Sequence, residues 1–375
     1  MSGKLILVAP NGYKECAGPL KAAELISSSL KKHLKEKGIL NYQILKRPVS
    51  DGGDGFLEVC EYYFGINIFT HEISFPWGNG KFLTKAGYSP ENKTVYIESA
   101  LVLGLKLIPV EKRKPLKLNS AGMGELLNYL NGMKLKDGLE IEKVVIGIGG
   151  TGTSDLGIGM CSAFGMELFD ASGKKLEPFP ENFNDVKLIT WKKPELQFEI
   201  EVIIDVDNPL LGEKGANRVF AKQKGASEND IEILEKGFQN ILQLAGARQY
   251  GKLSGAGGGL AAAFQIFFDA KITYARDFIK YELGINKNSL KPSVLITGEG
   301  KIDEQTLLDK GAMILINEFS TVDCTKILFA GISKTGLKGV HIIELSKYFP
   351  SVQESIEKFE EGINIAVEEI VRKYF

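Results

Sequence analysis

Short apolar runs alternate with stretches of helical period along most of the chain, and glycine-rich turns recur where one gives way to the other. Residues 5–9 read as a buried strand. Pro19 can open a helix over 20–37, where Leu20, Ala23, Ile26, Leu30 and Leu34 fall near helical spacing and Gly38 marks the end. Residues 42–49 read as a second strand and 56–64 as a helix. This β–α–β start predicts a parallel sheet under helices. Residues 66–99 are strand-like, with turn signals at 77–80 and 89–93, and predict antiparallel structure. Further on, 121–129 reads as helix, 143–148 as a strong parallel strand and 156–164 as a glycine-bearing helix. A strand at 202–206 and helices at 231–245 and 259–268 follow. From Val294 the pattern is strand and loop, a helix over 308–319, strands at 326–331 and 341–345, and one long amphipathic helix over 352–374.

Both ends of the chain are plain α/β layers and the middle is mixed. The expected fold is α/β with two domains. A discontinuous Rossmann-like parallel layer is expected from 1–76 plus 291–375, with a mixed α/β domain inserted over 77–290 and an active-site cleft between them. The 375 residues are enough for two such domains.

Composition narrows the class. The chain is 44% hydrophobic and 25% charged, as for a globular protein with a sizeable core. A net charge of −1 creates no field that would draw it to nucleic acid or a membrane. No window approaches the ~20 apolar residues of a membrane span, and the opening apolar run ends at Pro10, so a cytoplasmic protein is expected. Cys16, Cys60, Cys161 and Cys324 are far apart, as are His33, His71 and His341, which argues against a zinc site and for free thiols. Small-molecule ligands and a monomer or homodimer are expected.

The candidate chemistry lies in the glycine turns. Carboxylates accompany glycines at 48–55, 144–155 and 294–303, and a fourth glycine loop runs from Ser254 to Gly259. Such loops let backbone N–H groups converge on a multiply charged anion. The carboxylates suggest a divalent metal or a proton acceptor. Asp205 and Asp207, with Asn208, stand at a strand end and suit magnesium or base catalysis, or else a simple turn before Pro209. Lys14 follows the first strand, where a ligand crevice is usual, or is a solvated surface lysine. Lys224 is either a phosphate-facing cation or part of an exposed helix cap. Gly147 to Gly152 also satisfies GxGxxG, with Asp170 18 residues beyond, so an NAD-dependent oxidoreductase is a rival reading. Thr151, Thr153, Ser154 and Asp155 in that loop suit oxyanions and metal better.

Six stretches in order, VAPNGYK, PVSDGGDGF, GIGGTGTSDLGIGM, DVDNPLLGEKGANRVFAKQKGA, GAGGGLAAAF and ITGEGKIDEQT, resemble the type I glycerate kinase family. The resemblance implies two α/β domains and ATP- and Mg2+-dependent phosphorylation of D-glycerate, giving 2-phosphoglycerate in most bacterial members. A related small hydroxy acid is the alternative acceptor. A phosphatase or mutase, or a non-catalytic anion-binding relative, is a further rival. On this footing Asp205, Asp155 and Lys14 are expected to be catalytic, with Asp205 the first candidate for base. Lys14, Asp51, Gly52, Gly53, Asn208, Glu299, Asp303, Gln305 and Thr306 are expected to bind substrate. Gly149, Gly150, Thr151, Thr153, Lys224, Gly257 and Gly258 are expected to bind the nucleotide, and Asp205 and Asp303 the metal. The chain departs from the family pattern at Asn11, which replaces an acid, and at Gly12, Glu15, Cys16 and Ser154. Residues 115–120 and 309–310 also differ.

Overall fold

A computed structural model of the chain describes residues 4–136, 140–247, 253–302 and 311–375. It is mixed α/β and divides into two compact units. One joins Met1–Tyr63 to Ala275–Phe375, and the other is Phe64–Tyr274.

The first unit holds one parallel sheet. Its strands are β1 (Lys4–Val8), β2 (Tyr42–Lys46), β12 (Val294–Ile302), β13 (Thr325–Ser333) and β14 (His341–Glu344), in the order β14-β13-β12-β1-β2. Ile6, Leu7 and Val8 of β1 face Val294, Leu295 and Ile296 of β12. Both strands are buried runs of branched side chains, as a sheet covered on two faces requires. The helices Pro19–Glu36 and Phe359–Tyr374 cover one face through Ile26, Leu30, Val367 and Ile370. Ala312 of the Ala312–Glu318 helix belongs to a separate cluster with Leu328 and Ala330. The chain leaves β1 toward β2 on one side and leaves β12 toward β13 on the other. The boundary between β1 and β12 is therefore a topological switch point, the usual ligand crevice of an open parallel sheet.

Two expectations fail here. The strand from Val294 does not end before its glycines. It runs through Gly298, Glu299 and Gly300 to Ile302, because pairing with β13 continues from Glu299 with Ala330 to Ile302 with Ser333. The closing helix is two helices, Val352–Glu357 and Phe359–Tyr374, broken at Lys358, where φ is −103° and ψ is 32°. The helix expected from 308 is described only from Ala312.

The second unit holds β3 (Asn67–Ser74), β4 (Lys81–Ser89), β5 (Thr94–Glu98), β6 (Lys143–Ile148), β10 (Glu199–Ile204) and β11 (Lys271–Tyr274), in the order β11-β10-β6-β5-β4-β3. The β3–β4–β5 meander is antiparallel, and β5, β6, β10 and β11 are parallel. A separate small sheet of β7 (Glu167–Phe169), β8 (Lys175–Leu176) and β9 (Leu188–Thr190) has no counterpart in the sequence reading. Helices Ala121–Lys136, Glu228–Leu244 and Leu260–Phe268 bury Met123, Leu127, Leu234, Phe238 and Phe264 in one core with Ile146 and Val202. Glu201 is buried in β10 and accepts from Lys143, from Lys271 at 2.9 Å and from Thr273 at 2.5 Å. Burial pushes its pKa up, but these donors outweigh burial and hold it at about 2. Among the described residues no helix is long and apolar enough to cross a membrane.

Candidate active site

In the first unit the site residues gather beyond the end of β1, beside the later part of β12. Beyond Val8 the two strands stay joined: Ala9 N donates to Ile296 O at 2.8 Å, and Asn11 N to Gly298 O at 2.9 Å. Thr297 Oγ1 adds a 2.8 Å bond to Ala9 O. The chain then makes a tight turn, with Tyr13 N on Ala17 O at 2.8 Å and Ala17 N on Tyr13 O at 3.0 Å. Lys14 and Glu15 lie exposed at the apex, and Glu15 has a φ of 68°. The base of the turn is rigid. Tyr13 is buried, stands 4.7 Å from the Phe359 ring and donates its hydroxyl to Phe329 O at 2.9 Å. Burial, with the Glu299 charge nearby, pushes the Tyr13 phenol far up, so it remains a donor.

Asn11 is only 8% exposed and donates through Nδ2 to Asp51 Oδ2 at 3.2 Å. Asp51 Oδ1 accepts from Gly53 N at 3.3 Å, and Gly52 N donates to Ser50 Oγ at 3.3 Å. Glu299 is buried on β12. A Cβ on Gly311 would lie 1.9 Å from Glu299 Oε2 and 3.1 Å from Asn11 Nδ2, so these two side chains are neighbours, and a φ of 47° favours glycine beside them. Asp51, Asn11 and Glu299 thus form one polar group. Asp303, Gln305 and Thr306 lie outside the described residues.

In the second unit the candidate loops follow β5, β6 and β10. Gly149 N donates to Ser99 Oγ and Ser99 Oγ to Gly149 O, each at 3.2 Å. Leu105 N donates to Gly150 O at 3.0 Å, and Gly152 N to Leu103 O at 2.7 Å. The loop is therefore pinned to the segment after β5 on both sides of Thr151. Thr151, Thr153, Ser154 and Asp155 are all buried.

Asp155 is fully buried. Its Oδ2 accepts from Ser120 N and Ser120 Oγ, both at 2.7 Å, and from Gly159 N at 3.0 Å, while Oδ1 accepts from Gly157 N at 3.3 Å. Burial pushes its pKa up against the pull of these bonds. A base must reach the proton it takes, and this carboxylate faces donors of its own chain. The arrangement makes it an organiser of the loop.

The 254–259 loop packs on the same segment. A Cβ on Gly258 would stand 2.2 Å from Thr153 O, so this glycine is required by the close approach of two backbones. Gly257 lies against Ile148 and Thr151, and Leu156 N donates to Gly258 O at 3.2 Å. Lys224 is not part of an exposed cap. It is 4% exposed and donates through Nζ to Thr153 O at 2.7 Å. Burial lowers its pKa to about 8, with Asp155 pulling the other way. Asp205 is half-buried just past β10. Asn208 holds its own loop, with Nδ2 on Lys214 O at 3.0 Å and its carbonyl taking Gly255 N at 2.9 Å. Among the described residues no group of three or more His, Cys, Asp or Glu side chains could hold a metal ion by itself.

The dinucleotide reading loses its support. Gly152 does not open a helix, since the next one, Ile158–Ser162, starts after Gly157 and has five residues. Asp170 sits in an exposed turn beyond β7, bonded to Ser172 and Lys174, outside the parallel sheet. Sequence reasoning also missed Tyr13, Ser99 and Ser120. Only Ser120 had a local signal, the polar pair Asn119–Ser120 just before a helix, where Asn119 Oδ1 accepts from Ala121 N at 3.0 Å.

Comparison with known proteins gives this arrangement its class, a two-unit α/β kinase. The model of the glycerate kinase family matches residues 6–374, and the chain belongs to that family. Glycerate 2-kinase of Escherichia coli strain K12 is 31% identical over 380 residues, covering 98% of this chain and 95% of its own length. Glycerate kinase of Halalkalibacterium halodurans is 32% identical over 313 residues, covering 81% of this chain and 79% of its own. A crystal structure provisionally described as glycerate kinase 2 from Salmonella typhimurium LT2 superposes with a TM-score of 0.76 at 28% identity, over 99% of this chain and 98% of that one.

Proposed function

We propose that the protein transfers the terminal phosphoryl group of Mg·ATP to D-glycerate, with the 2-hydroxyl as acceptor. The observation that carries this reading is the near full-length likeness to glycerate 2-kinase, and the geometry of both units supports it. Phosphoryl transfer needs in-line positioning and charge neutralisation more than covalent help from the protein.

The second unit supplies the elements suited to phosphates. Gly149, Gly150, Thr151 and Thr153 form one loop, Gly257 and Gly258 the other, and the two are packed together. The first unit supplies groups suited to a hydroxy acid. Lys14 offers a cation to the carboxylate from a rigid turn, while Asp51, Asn11 and Glu299 can hydrogen-bond hydroxyls. From the family resemblance we assign Asp303, Gln305 and Thr306 to the acceptor side as well. Asp205 is the proposed base that takes the acceptor's proton. In the alternative use of Asp205 its carboxylate would hold Mg2+, which takes oxygen ligands and commonly uses one or two protein carboxylates with phosphates and water. From the family resemblance Asp303 is the other carboxylate proposed for the ion. When bound, the ion would neutralise charge on the phosphates. Asp155 keeps the glycine loop in shape. We expect the enzyme to act in the cytoplasm on small molecules, as a monomer or homodimer.

An ATP-consumption screen over glycerate, tartronate and four-carbon sugar acids, with a parallel NAD titration, tests the reading. Turnover should be fastest on glycerate. Binding of NAD without binding of Mg·ATP would reject the kinase assignment, and turnover confined to a four-carbon acid would replace the acceptor.

A further inference from the structure

Among the described residues Lys224 is a buried cation beside the glycine loops, and its surroundings do not resemble an open phosphate site. Its Nζ points to the Thr153 carbonyl at 2.7 Å, with Ser154 Oγ next at 3.5 Å. The side chain is almost wholly out of solvent. A Cβ on Gly258 would meet the same carbonyl at 2.2 Å, so the second glycine loop packs closely there. Thr153 O thus has a lysine donor and a tightly packed glycine beside it. The next residue but one, Asp155, is fixed by Ser120, Gly157 and Gly159. Between these anchors Thr153 Oγ1 is buried and has no hydrogen-bond partner among the described residues.

Resting on the kinase reading, we infer that Lys224 is a positioning residue. It fixes the Thr153 carbonyl and, through it, holds the Gly149–Thr153 loop in the shape that receives a nucleotide's phosphates, without itself touching them. The lysine's own mount is built for this. It is the last residue of the short helix Lys222–Lys224, with its N–H on Ala221 O at 3.0 Å, and Gly225 N closes back on Lys222 O at 3.0 Å. A flexible surface cation could follow a ligand, but a buried one hydrogen-bonded to a carbonyl cannot move without leaving that carbonyl unpaired. The lowered pKa agrees: burial disfavours the charged ammonium, a carbonyl supplies no counter-charge, and the Asp155 charge offsets only part of this.

The test compares the full-length wild type with Lys224→Met, which removes the donor, and Lys224→Gln, which keeps an amide donor without charge. Two readouts are taken. Hydrogen exchange of the 149–155 amides in ligand-free protein reads the loop directly and does not depend on the reaction. Exchange should rise in Lys224→Met, confined to that loop and its neighbours, and return toward wild type in Lys224→Gln. Calorimetric titration with Mg·ATP reads the consequence. Affinity should fall by about tenfold or more in Lys224→Met, the size expected for one lost charge-assisted hydrogen bond, and recover to within about threefold in Lys224→Gln, with the KM for glycerate little changed. Wild-type exchange and affinity in Lys224→Met would overturn the inference. So would a Lys224→Gln variant whose loop exchanges as in the wild type but whose affinity is as weak as that of Lys224→Met, because the charge itself would then be meeting the phosphates. Wild-type protein that gives no heat with Mg·ATP rejects the kinase reading instead, and the exchange comparison still decides what Lys224 does to the loop.

Discussion

Ser120 and Asp155, 35 residues apart, are joined by two hydrogen bonds of 2.7 Å, from the amide and the hydroxyl of Ser120 to one carboxylate oxygen. The same hydroxyl accepts from Met160 N at 3.0 Å. A buried acid with this many donors fixes the loop that follows β6 to the start of the Ala121–Lys136 helix. Asp155→Asn would turn an amide N–H toward at least one existing donor. It should cost about 2–4 kcal/mol and lower the melting temperature by several degrees. Melting and turnover measured together decide the role. A variant that melts like the wild type but has lost turnover would make Asp155 a reacting group after all.

Asp205 differs because it is half-buried at a strand end. If it is the base, Asp205→Asn should leave melting and Mg·ATP affinity near wild type and lower turnover roughly 10²–10⁴-fold. Nucleotide titration separates the two uses of this carboxylate. A fall in Mg·ATP affinity as large as the fall in turnover would make it a metal ligand and leave the base to be found elsewhere.

Asn11 stands where the family pattern has an acid, and its amide donates to Asp51. Asn11→Asp would set a second carboxylate 3.2 Å from the first. Two such groups cannot both ionise freely, so one pKa should rise. At low pH a shared proton bridges them, and as pH rises through the raised pKa the pair repels. The variant's deficit in melting temperature against the wild type should therefore grow from about pH 5 to pH 8. A deficit that is constant with pH would contradict the contact.

Glu201 gives a pH prediction for the fold itself. Its folded pKa is about 2 against an ordinary value of 4.5, so the folded state favours the charged form. The stabilisation is fully present above about pH 4.5 and is lost as pH falls toward 2. A shift of this size corresponds to on the order of 3 kcal/mol. Unfolding of the wild type should show that extra acid sensitivity, and Glu201→Gln should show less of it. Parallel pH profiles for the two proteins would mean that Lys143, Lys271 and Thr273 do not hold the charge.

The sequence made the apolar framework legible. Residues 56–64 form the expected helix and 143–148 the expected strand, with bounds as read, because burial periodicity and flanking glycines agree there. β12 was misread beyond Thr297 because Gly298, Glu299 and Gly300 are turn residues by local preference, and only pairing with β13 keeps them extended. The break at Lys358 was hidden because apolar spacing is the same on both sides of it. In the site, residue types were readable and directions were not. Asp155 and Lys224 both stood out as charged groups in glycine-rich stretches, yet both point inward, to donors and acceptors about 35 and 70 residues away in sequence. Distant backbone partners leave no local pattern. Lys14 is the converse case, a surface lysine by composition whose turn is fixed by Tyr13 on Phe329 O, 316 residues on.

The most direct measurement of the central claim is phosphorus NMR of a reaction of the full-length protein with Mg·ATP and D-glycerate. The account predicts loss of the γ-phosphate signal of ATP and growth of one new monoester resonance at the position of authentic 2-phosphoglycerate, in step with ADP. A product at the position of 3-phosphoglycerate would contradict the assigned hydroxyl. Inorganic phosphate as the only product, or no change at all with glycerate present, would contradict glycerate phosphorylation itself.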